Sequence, residues 1–446
     1  MELCIRVGGE RTGEITDPTT SPPDSSLLHL DAKVKKATQE PCPNAPVSHV
    51  FIEEVLKTYF PDLHKPVLKN LKLVVGAFMT ALEGVRSGNG KLTLSSLARV
   101  FPLSGCFKTV YQRLCRFLRN KFLDAGCLTE GLLKLLMGQG ASGLMPVIVD
   151  QTQVGPVLAI LAGIAFSGRV FPIGIHTYTN EDIDKKPDRE KSRNWIELCF
   201  LLRLMEACPE GLGLIFILDR GYARVSLIAQ LLAQPGVMFV MRAPRNVLIR
   251  YRQGHKEIKA ALGSIKVRPG KPLRLIRVLY KKTKSARVDI VVYREREFKE
   301  PWYLVVPPGS DDVLPTRTVV ALYRSRMRVE QGFRDFKHHL GIRGLDLVVD
   351  QAERLGRLLQ GFLLAYTLTL ALGETAVGRA VRERMEAPRR QPRHGTTRIL
   401  SAFRIGSLLL SGFCSIAFKV QVCATVERML SMLKHHKGLF FIVEKI

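Results

Sequence analysis

The spacing of hydrophobic residues changes once along the chain, near residue 140. From Val47 to about Gly140, apolar residues recur every three or four positions, which predicts helices. From Leu144 onwards, short runs of β-branched and aliphatic residues end at turn-forming residues, which predicts strands. Amphipathic stretches between these runs predict helices, so the order up to Met241 is β-β-β-α-β-α-β. The predicted strands are 145–150, 157–166, 170–177, 214–219 and 237–241, and the predicted helices are 192–208 and 223–233.

The N-terminal part divides into a polar leader and a helical region. Residues 1–46 are rich in Pro, Ser and Thr and lack apolar periodicity, so burial cannot offset the entropy of ordering them. In the helical region, two short helices flank the break at 102–105, as in a helix-turn-helix. The second helix places Arg113 and Arg116 beside an apolar stripe, which suits a helix lying on phosphates. A solvated basic face on a structural bundle is the competing interpretation.

Acidic residues nearly disappear after the last of these strands. Residues 242–307 hold 18 Lys and Arg against five Asp and Glu, a net charge of +13. Because apolar and basic positions alternate there, the stretch is predicted to be β-rich with one cationic face. Helical spacing returns at 317–339 and 351–372, and a basic, Pro-containing stretch at 388–395 precedes a last apolar helical segment.

The composition adds a large positive charge to this pattern. The chain has 446 residues, with 67 Lys and Arg against 40 Asp and Glu, and a net charge of +27. Its 46% of hydrophobic residues suffices for a core and excludes a disordered basic protein. The longest apolar stretch, 358–372, is shorter than the roughly 18–20 residues that span a bilayer, and no signal-peptide pattern is present. We therefore expect an intracellular protein with no membrane partner that binds a polyanion, with nucleic acid as the first candidate.

Two acidic residues end predicted strands. Asp150 and Asp219 each follow a short apolar run, and in an open sheet such strand ends converge on one edge where sites form. A turn-forming role for either aspartate is the competing interpretation, because strand-end acids are common.

A third acid lies on a predicted helix with an unusual polar stripe. Tyr323, Arg326, Glu330 and Lys337 are spaced by three, four and seven residues, so at about 100° per residue they share a stripe roughly 60° wide. Apolar residues lie beside this stripe and not opposite it, which favours a helix anchored next to a site. A solvated ion-pair face is the alternative.

Three carboxylates from two strand ends and a helix suit divalent metal chemistry. Hard oxygen ligands are those that Mg²⁺ or Mn²⁺ prefers, and Asp150, Asp219 and Glu330 would leave positions for water and phosphate. Two such ions would support an in-line phosphoryl displacement. The neighbouring Tyr323, Arg326 and Lys337 would then hold a DNA backbone.

These residues resemble a known bacterial family, the insertion-sequence-four type of DDE transposase. Its signature is Y-x2-R-x3-E-x6-K, and Tyr323, Arg326, Glu330 and Lys337 match all four positions. The stretches 150–152, 218–223 and 113–120 look like the family's two aspartate motifs and its N-terminal helical region, and the resemblance covers most of 48–375. The resemblance implies a ribonuclease-H-like α/β fold with a β-rich domain inserted between the second Asp and the Glu.

The spacing of hydrophobic residues and this resemblance together give the expected domains. They are a flexible leader at 1–46, a helical DNA-binding domain at 47–140, a ribonuclease-H-like mixed-sheet core at 141–241 and 308–375, an inserted basic β-rich domain at 242–307, and a linker with a C-terminal helical segment at 376–446.

The resemblance also implies a function. The expected activity is metal-dependent cleavage of transposon ends and strand transfer, with Asp150, Asp219 and Glu330 as catalytic metal ligands for two Mg²⁺ or Mn²⁺ ions. The expected partners are the terminal inverted repeats and target DNA, bound by a homodimer in a synaptic complex in the bacterial cytoplasm. An inactive or domesticated DNA-binding derivative of a transposase is the alternative.

Residues of the insert are implied to contact DNA. Family members use a Trp of the inserted domain to stack a flipped base, and Trp302 is the candidate, with a buried strand Trp as the competing interpretation. Arg242, Arg245 and Lys281 are candidate backbone contacts, although any of the 18 cations of the insert would serve.

Overall fold

The fold is seen in a computed structural model of the chain. It describes residues 45–446, apart from 87–92, 124–127, 139, 167–168, 186, 189, 282–285, 299, 335–348, 350, 386–399, 412–415 and 446, and gives the backbone alone for 45–49, 82–86, 327–334, 411, 416–420 and 442.

Helices in the described residues occur before, within and after a set of ten strands. The helices are α1 (Ala45–Tyr59), α2 (Lys65–Arg86), α3 (Leu94–Arg99), α4 (Phe107–Arg119), α5 (Thr129–Met137), α6 (Asn180–Asp184), α7 (Arg193–Glu206), α8 (Val225–Leu232), α9 (Thr316–Arg334), α10 (Ala352–Glu374), α11 (Ala376–Met385), α12 (Ala402–Ser411), α13 (Ile416–Lys434) and α14 (Leu439–Lys445). The strands are β1 (Gly143–Val154), β2 (Val157–Phe166), β3 (Arg169–Tyr178), β4 (Leu212–Leu218), β5 (Met238–Arg242), β6 (Leu248–Gln253), β7 (Lys256–Ala261), β8 (Leu273–Tyr280), β9 (Ala286–Tyr293) and β10 (Trp302–Val306).

The first five strands form a mixed sheet in the order β3-β2-β1-β4-β5. Strands β1, β2 and β3 are an antiparallel meander, whereas β4 runs parallel to β1 and β5 parallel to β4. The predicted order β-β-β-α-β-α-β is confirmed, and the mixed α/β topology is consistent with a ribonuclease-H-like core. Strands β2 and β4 are almost continuously apolar because they are buried on both faces.

The five strands of the basic segment extend this sheet. Strand β10 pairs antiparallel with both β5 and β9, and the sheet continues through β9, β8, β6 and β7. Residues 242–307 are therefore hydrogen-bonded to the core sheet along one edge, and the domain boundaries within the chain stay a prediction.

One buried ion pair joins strands β8 and β9 of this segment. Asp289 accepts hydrogen bonds from Arg274 Nη2 at 3.0 Å and from the backbone N–H of Arg277 at 2.8 Å. Arg277 has a φ of 50° at an irregularity of the β8–β9 register. Arg274 is therefore structural, and the count of 18 Lys and Arg overstates the insert's supply of free cations.

Helix α10 is the central core helix that the other layers contact. It packs on β3, where Thr177 Oγ1 donates to the carbonyl of Ala352 at 2.8 Å. On another side Phe362 meets Phe78 of α2, with ring centroids 5.4 Å apart. Arg357 of α10 donates to the backbone carbonyl of Leu118 on α4. This hydrogen bond also ties α10 to the N-terminal helices. Among the described residues α10 alone is long and apolar enough to cross a membrane, and its most apolar 18 residues are buried inside the protein.

Candidate active site

Asp150 and Asp219 lie side by side on neighbouring parallel strands. The last paired residues of β1 and β4 are Ile148 and Ile217, and each aspartate comes two positions later. Both side chains are partly exposed at this edge of the sheet. The sequence places Asp150 at the end of its strand, and this detail is wrong: β1 continues to Val154 because its polar residues pair with β2 in a hairpin. The aspartate lies where β4 ends.

Asp219 forms a turn and also keeps a carboxylate oxygen at the sheet edge. Its Oδ1 accepts a hydrogen bond from the backbone N–H of Gly221 at 2.6 Å, which caps a single 3-10 turn at Arg220–Tyr222. Its Oδ2 accepts from Arg326 Nη2 at 3.1 Å. The side chain remains 41% exposed, so a turn-forming aspartate here also faces solvent at the sheet edge.

Helix α9 carries two residues of the polar stripe into this site. Arg326 has a side chain that is 10% exposed, and its Nε has no hydrogen-bond partner in the described structure. Its guanidinium lies 5.9 Å from the centre of the Tyr323 ring. The stripe therefore contacts Asp219 through Arg326. The side chain of Glu330, one turn further along α9, and the whole of Lys337 lie outside the described residues.

Tyr323 is buried, which differs from the expected position in contact with a DNA backbone. It is 1% exposed, and Arg242 at the end of β5 is close enough for its charge to act on the hydroxyl. Burial raises the pKa of Tyr323, and the charges of Arg326 and Arg242 oppose the rise. Tyr323 thus contacts the Arg326 guanidinium from the core.

Trp302 is also buried, as the competing interpretation has it. It is the first residue of β10, is 5% exposed, and packs against Tyr323 with ring centroids 5.2 Å apart. Tyr293 contacts it at 5.7 Å. A base cannot stack on this ring while these contacts are kept, so the structure gives Trp302 a packing role.

The other basic candidates lie on separate elements. Arg245 is exposed and 3.9 Å from Glu300, and Lys281 is exposed at the end of β8. Arg113 and Arg116 of α4 line a cavity of about 460 Å³ together with Arg119, Asn70, Phe117 and Asn120. Arg113 Nε donates to Asn70 Oδ1 at 2.9 Å, and no acid lines this cavity in the described structure. This cavity is suited to an anion.

Sequence reasoning missed a cluster of polar residues around α7. Glu197 is buried between Arg193 and Arg224, and Tyr222 is buried beside it. Burial raises the pKa of Tyr222 well above its ordinary value, and the charges of Glu197 and Asp150 raise it further. The only signal in the sequence is an acid among the apolar positions of an amphipathic helix, which does not by itself identify its partners.

The described side chains supply two carboxylates for a divalent metal. Among the described side chains, no group of three His, Cys, Asp or Glu is placed to hold a metal ion. Asp150 and Asp219 supply two carboxylates at one edge, and Glu330 is the position from which a third would come. Two adjacent, partly exposed aspartates fit the hard-oxygen chemistry of Mg²⁺ or Mn²⁺.

Comparisons with known proteins bear on the same residues. Residues 182–368 match the family model described as Transposase DDE domain. The matched segment contains Asp219 and the stripe from Tyr323 to Lys337, and it supports a DDE transposase. A cryo-EM structure of a piggyBac transposase synaptic complex with hairpin DNA is similar to this chain, with a TM-score of 0.38 and 10% identity over 85% of this chain and 82% of that chain. A search of curated proteins finds no match.

Proposed function

We propose that this protein is a DDE transposase that cleaves DNA at transposon ends and joins the ends to target DNA. The observation that carries the proposal is the convergence of Asp150, Asp219 and Arg326. Asp150 within β1 and Asp219 just after β4 each lie two positions beyond the last residue pair of these parallel strands, and Arg326 of α9 bonds to Asp219. The match of residues 182–368 to a transposase DDE domain supports the same reaction class.

Asp150, Asp219 and Glu330 are the residues proposed to hold two Mg²⁺ or Mn²⁺ ions. DDE transposases generally use divalent metal ions, which supply Lewis-acid activation of a water or a 3′-hydroxyl in phosphoryl transfer. Glu330 follows Arg326 by four residues, one turn of α9, so its Cα lies on the same side of the helix as the Arg326 Cα.

The remaining residues of the site act on position and charge. Arg326 donates a charge-assisted hydrogen bond to Asp219 and so fixes the position of that carboxylate. Tyr323 packs against the Arg326 guanidinium from the core, and Arg242 lies near Tyr323. Lys337, seven residues after Glu330, is proposed to contact the DNA backbone.

The charge distribution supports DNA as the substrate. Arg113 and Arg116 line the cavity on α4, which no acid lines in the described structure, and Arg245 and Lys281 are exposed on the basic extension of the sheet. We propose that these residues hold terminal inverted repeats and target DNA, and that two copies of the chain assemble on paired ends in the bacterial cytoplasm. Cut-and-paste movement of an insertion sequence is the process that this reaction serves.

Excision of a marked element from a plasmid tests the proposal. Asp219→Asn and Glu330→Gln should each abolish Mg²⁺-dependent excision and end cleavage, because each removes a carboxylate charge from the site. Glu130→Gln is the control, since Glu130 is an exposed acid that pairs with Lys134 on α5. Excision by Glu330→Gln at the parental level would overturn the proposal. DNA binding without cleavage by the parent protein would favour the alternative of an inactive derivative.

A further inference from the structure

Glu197 is a buried carboxylate shared by two arginines. It lies on α7 with a side chain that is 0% exposed. Its Oε1 accepts a hydrogen bond from Arg193 Nε at 2.7 Å, and its Oε2 accepts one from Arg224 Nη2. Burial raises the pKa of Glu197, and the guanidinium groups of Arg224 and Arg193 oppose the rise. A buried carboxylate of this kind is tolerated because both of its oxygens are paired with cations.

The first arm of this network reaches Asp219. Arg224 donates through Nη1 to the backbone carbonyl of Gly221 and through Nε to Asn194 Oδ1, the latter at 2.6 Å. The N–H of Gly221 donates to Asp219 Oδ1 at 2.6 Å. Glu197 fixes Arg224, Arg224 fixes the Gly221 turn, and that turn orients Asp219.

The second arm reaches Asp150. Arg193 donates through Nη2 to Gln151 Oε1, and Gln151 Nε2 donates to the hydroxyl of Tyr178 at 2.8 Å. The backbone N–H of Gln151 donates to Asp150 Oδ1 at 2.9 Å. The side chain of Gln151 is therefore held on both sides, and its backbone presents a fixed donor to Asp150.

We propose that Glu197 is a positioning residue that sets the relative placement of Asp150 and Asp219 through Arg193 and Arg224. The inference rests on the proposed function, because it takes the two aspartates as metal ligands. Outer hydrogen-bonding partners of metal ligands orient those ligands and change metal affinity. Glu197 is placed to do so for two ligands at once, since β1 and the turn after β4 are tied to the same carboxylate.

Replacement by glutamine distinguishes positioning from simple packing. Glu197→Gln keeps the shape of the side chain, but the amide has one acceptor oxygen for two guanidinium donors, and its NH₂ group opposes the other arginine. One arm must therefore be released. Glu197→Asp keeps the charge and both acceptors on a side chain shorter by one methylene, so it should restore part of what glutamine loses.

Binding of Mn²⁺ to the full-length protein without DNA, followed by calorimetry, is the direct measurement. Glu197→Gln is expected to weaken Mn²⁺ binding by about 10- to 100-fold, the range found for outer-shell partners of metal ligands. The Mn²⁺ concentration for half-maximal DNA cleavage should rise by the same factor while DNA affinity stays unchanged. Glu374→Gln is the matched control, because it removes a different buried acid, 3.7 Å from Arg382, and should keep parental Mn²⁺ affinity.

The outcomes separate this inference from the proposed function. Parental Mn²⁺ affinity in Glu197→Gln would overturn the inference alone, provided that Asp219→Asn still loses Mn²⁺ binding. Absence of Mn²⁺ binding by the parent protein would overturn both. If Glu197→Gln does not fold, Arg193→Gln breaks the Asp150 arm at a partly exposed side chain, and unchanged Mn²⁺ affinity there would equally overturn the inference.

Discussion

Arg326 Nη2 donates a hydrogen bond to Asp219 Oδ2 at 3.1 Å and thereby joins two segments that are 107 residues apart in the chain. Asp219 follows β4, and Arg326 lies in the middle of α9. The basic strands β6 to β10 lie between these two residues in sequence, so the ion pair joins the segments that precede and follow the insert. Asp219 and helix α9 therefore meet at the end of β4.

Arg326→Gln is expected to slow end cleavage by about 10- to 100-fold, because Asp219 loses the charged donor on its Oδ2 and takes up other orientations. Arg324→Gln is the control on the same helix, since Arg324 pairs with Glu295 and not with the aspartates. Single-turnover cleavage of a labelled end sequence measures both. Equal rates for the two variants would show that the ion pair does not serve the reaction.

The strands were predicted well because the alternation of apolar and polar residues that forms a strand lies within the strand itself. The bounds of β2 and β8 agree with the apolar and alternating runs at 157–166 and 273–280. The environments of Tyr323 and Glu197 depend on distant residues and did not follow from spacing. Tyr323 is buried because Trp302 of β10 packs against it. The burial of Glu197 is tolerated because Arg193 and Arg224 both pair with it. The Asp150–Asp219 pairing was predictable because both end apolar runs in a mixed sheet.

Trp302 should behave as a core residue in solution. In a Trp195→Phe background it is the remaining tryptophan, and its fluorescence should be weakly quenched by acrylamide both with and without DNA, because the ring is packed against Tyr323. Trp302→Ala should lower the free energy of unfolding by ~3–5 kcal/mol. Strong quenching of Trp302 by DNA would instead support stacking on a flipped base.

The α10–α12 contact should not tolerate a side chain at its glycines. A Cβ at Gly373 would lie 1.8 Å from the carbonyl oxygen of Ala402, and one at Gly406 would lie 1.9 Å from that of Thr369. Each Gly→Ala variant should lower the unfolding midpoint in urea, with a loss of roughly 1–3 kcal/mol or more from overpacking. Ser407→Ala is the neighbouring control and should be neutral or stabilising, because its buried hydroxyl has no hydrogen-bond partner in the described structure. A tolerated Gly373→Ala would mean that the two helices separate easily.

DNA affinity should fall steeply between 50 and 200 mM salt, because phosphate contacts release counterions. If Arg116 contacts a phosphate at the α4 cavity, Arg116→Gln should reduce the slope of log K against log salt by about 0.9. Lys434→Gln is the control, since this exposed lysine lies 3.7 Å from Glu54, away from that cavity's lining. Fluorescence anisotropy at four salt concentrations measures the slopes. Identical slopes for all three proteins would remove Arg116 from the interface.

Glu53 should make the packing of α1 on α2 sensitive to acid. Hydrogen bonds from Lys57, at 2.8 Å, and from Lys72 lower the pKa of Glu53 from 4.5 to about 2. A carboxyl whose pKa is lower in the folded protein stabilises it above its ordinary pKa, and this contribution disappears as the pH falls from about 4.5 towards 2. Because Glu53 is 36% exposed, solvent screening limits the contribution to about 1 kcal/mol or less.

The difference in urea midpoint between the parent and Glu53→Gln should therefore be largest at pH 6–7 and should shrink steadily below pH 4.5, because protonated Glu53 and glutamine are both neutral and lose the same ion pairs. Glu130→Gln, which removes an exposed acid from an i,i+4 pair with Lys134, controls for the general effect of deleting a surface charge. A difference for Glu53→Gln that stays constant down to pH 3 would show that the two lysines act on Glu53 through packing and not through its charge.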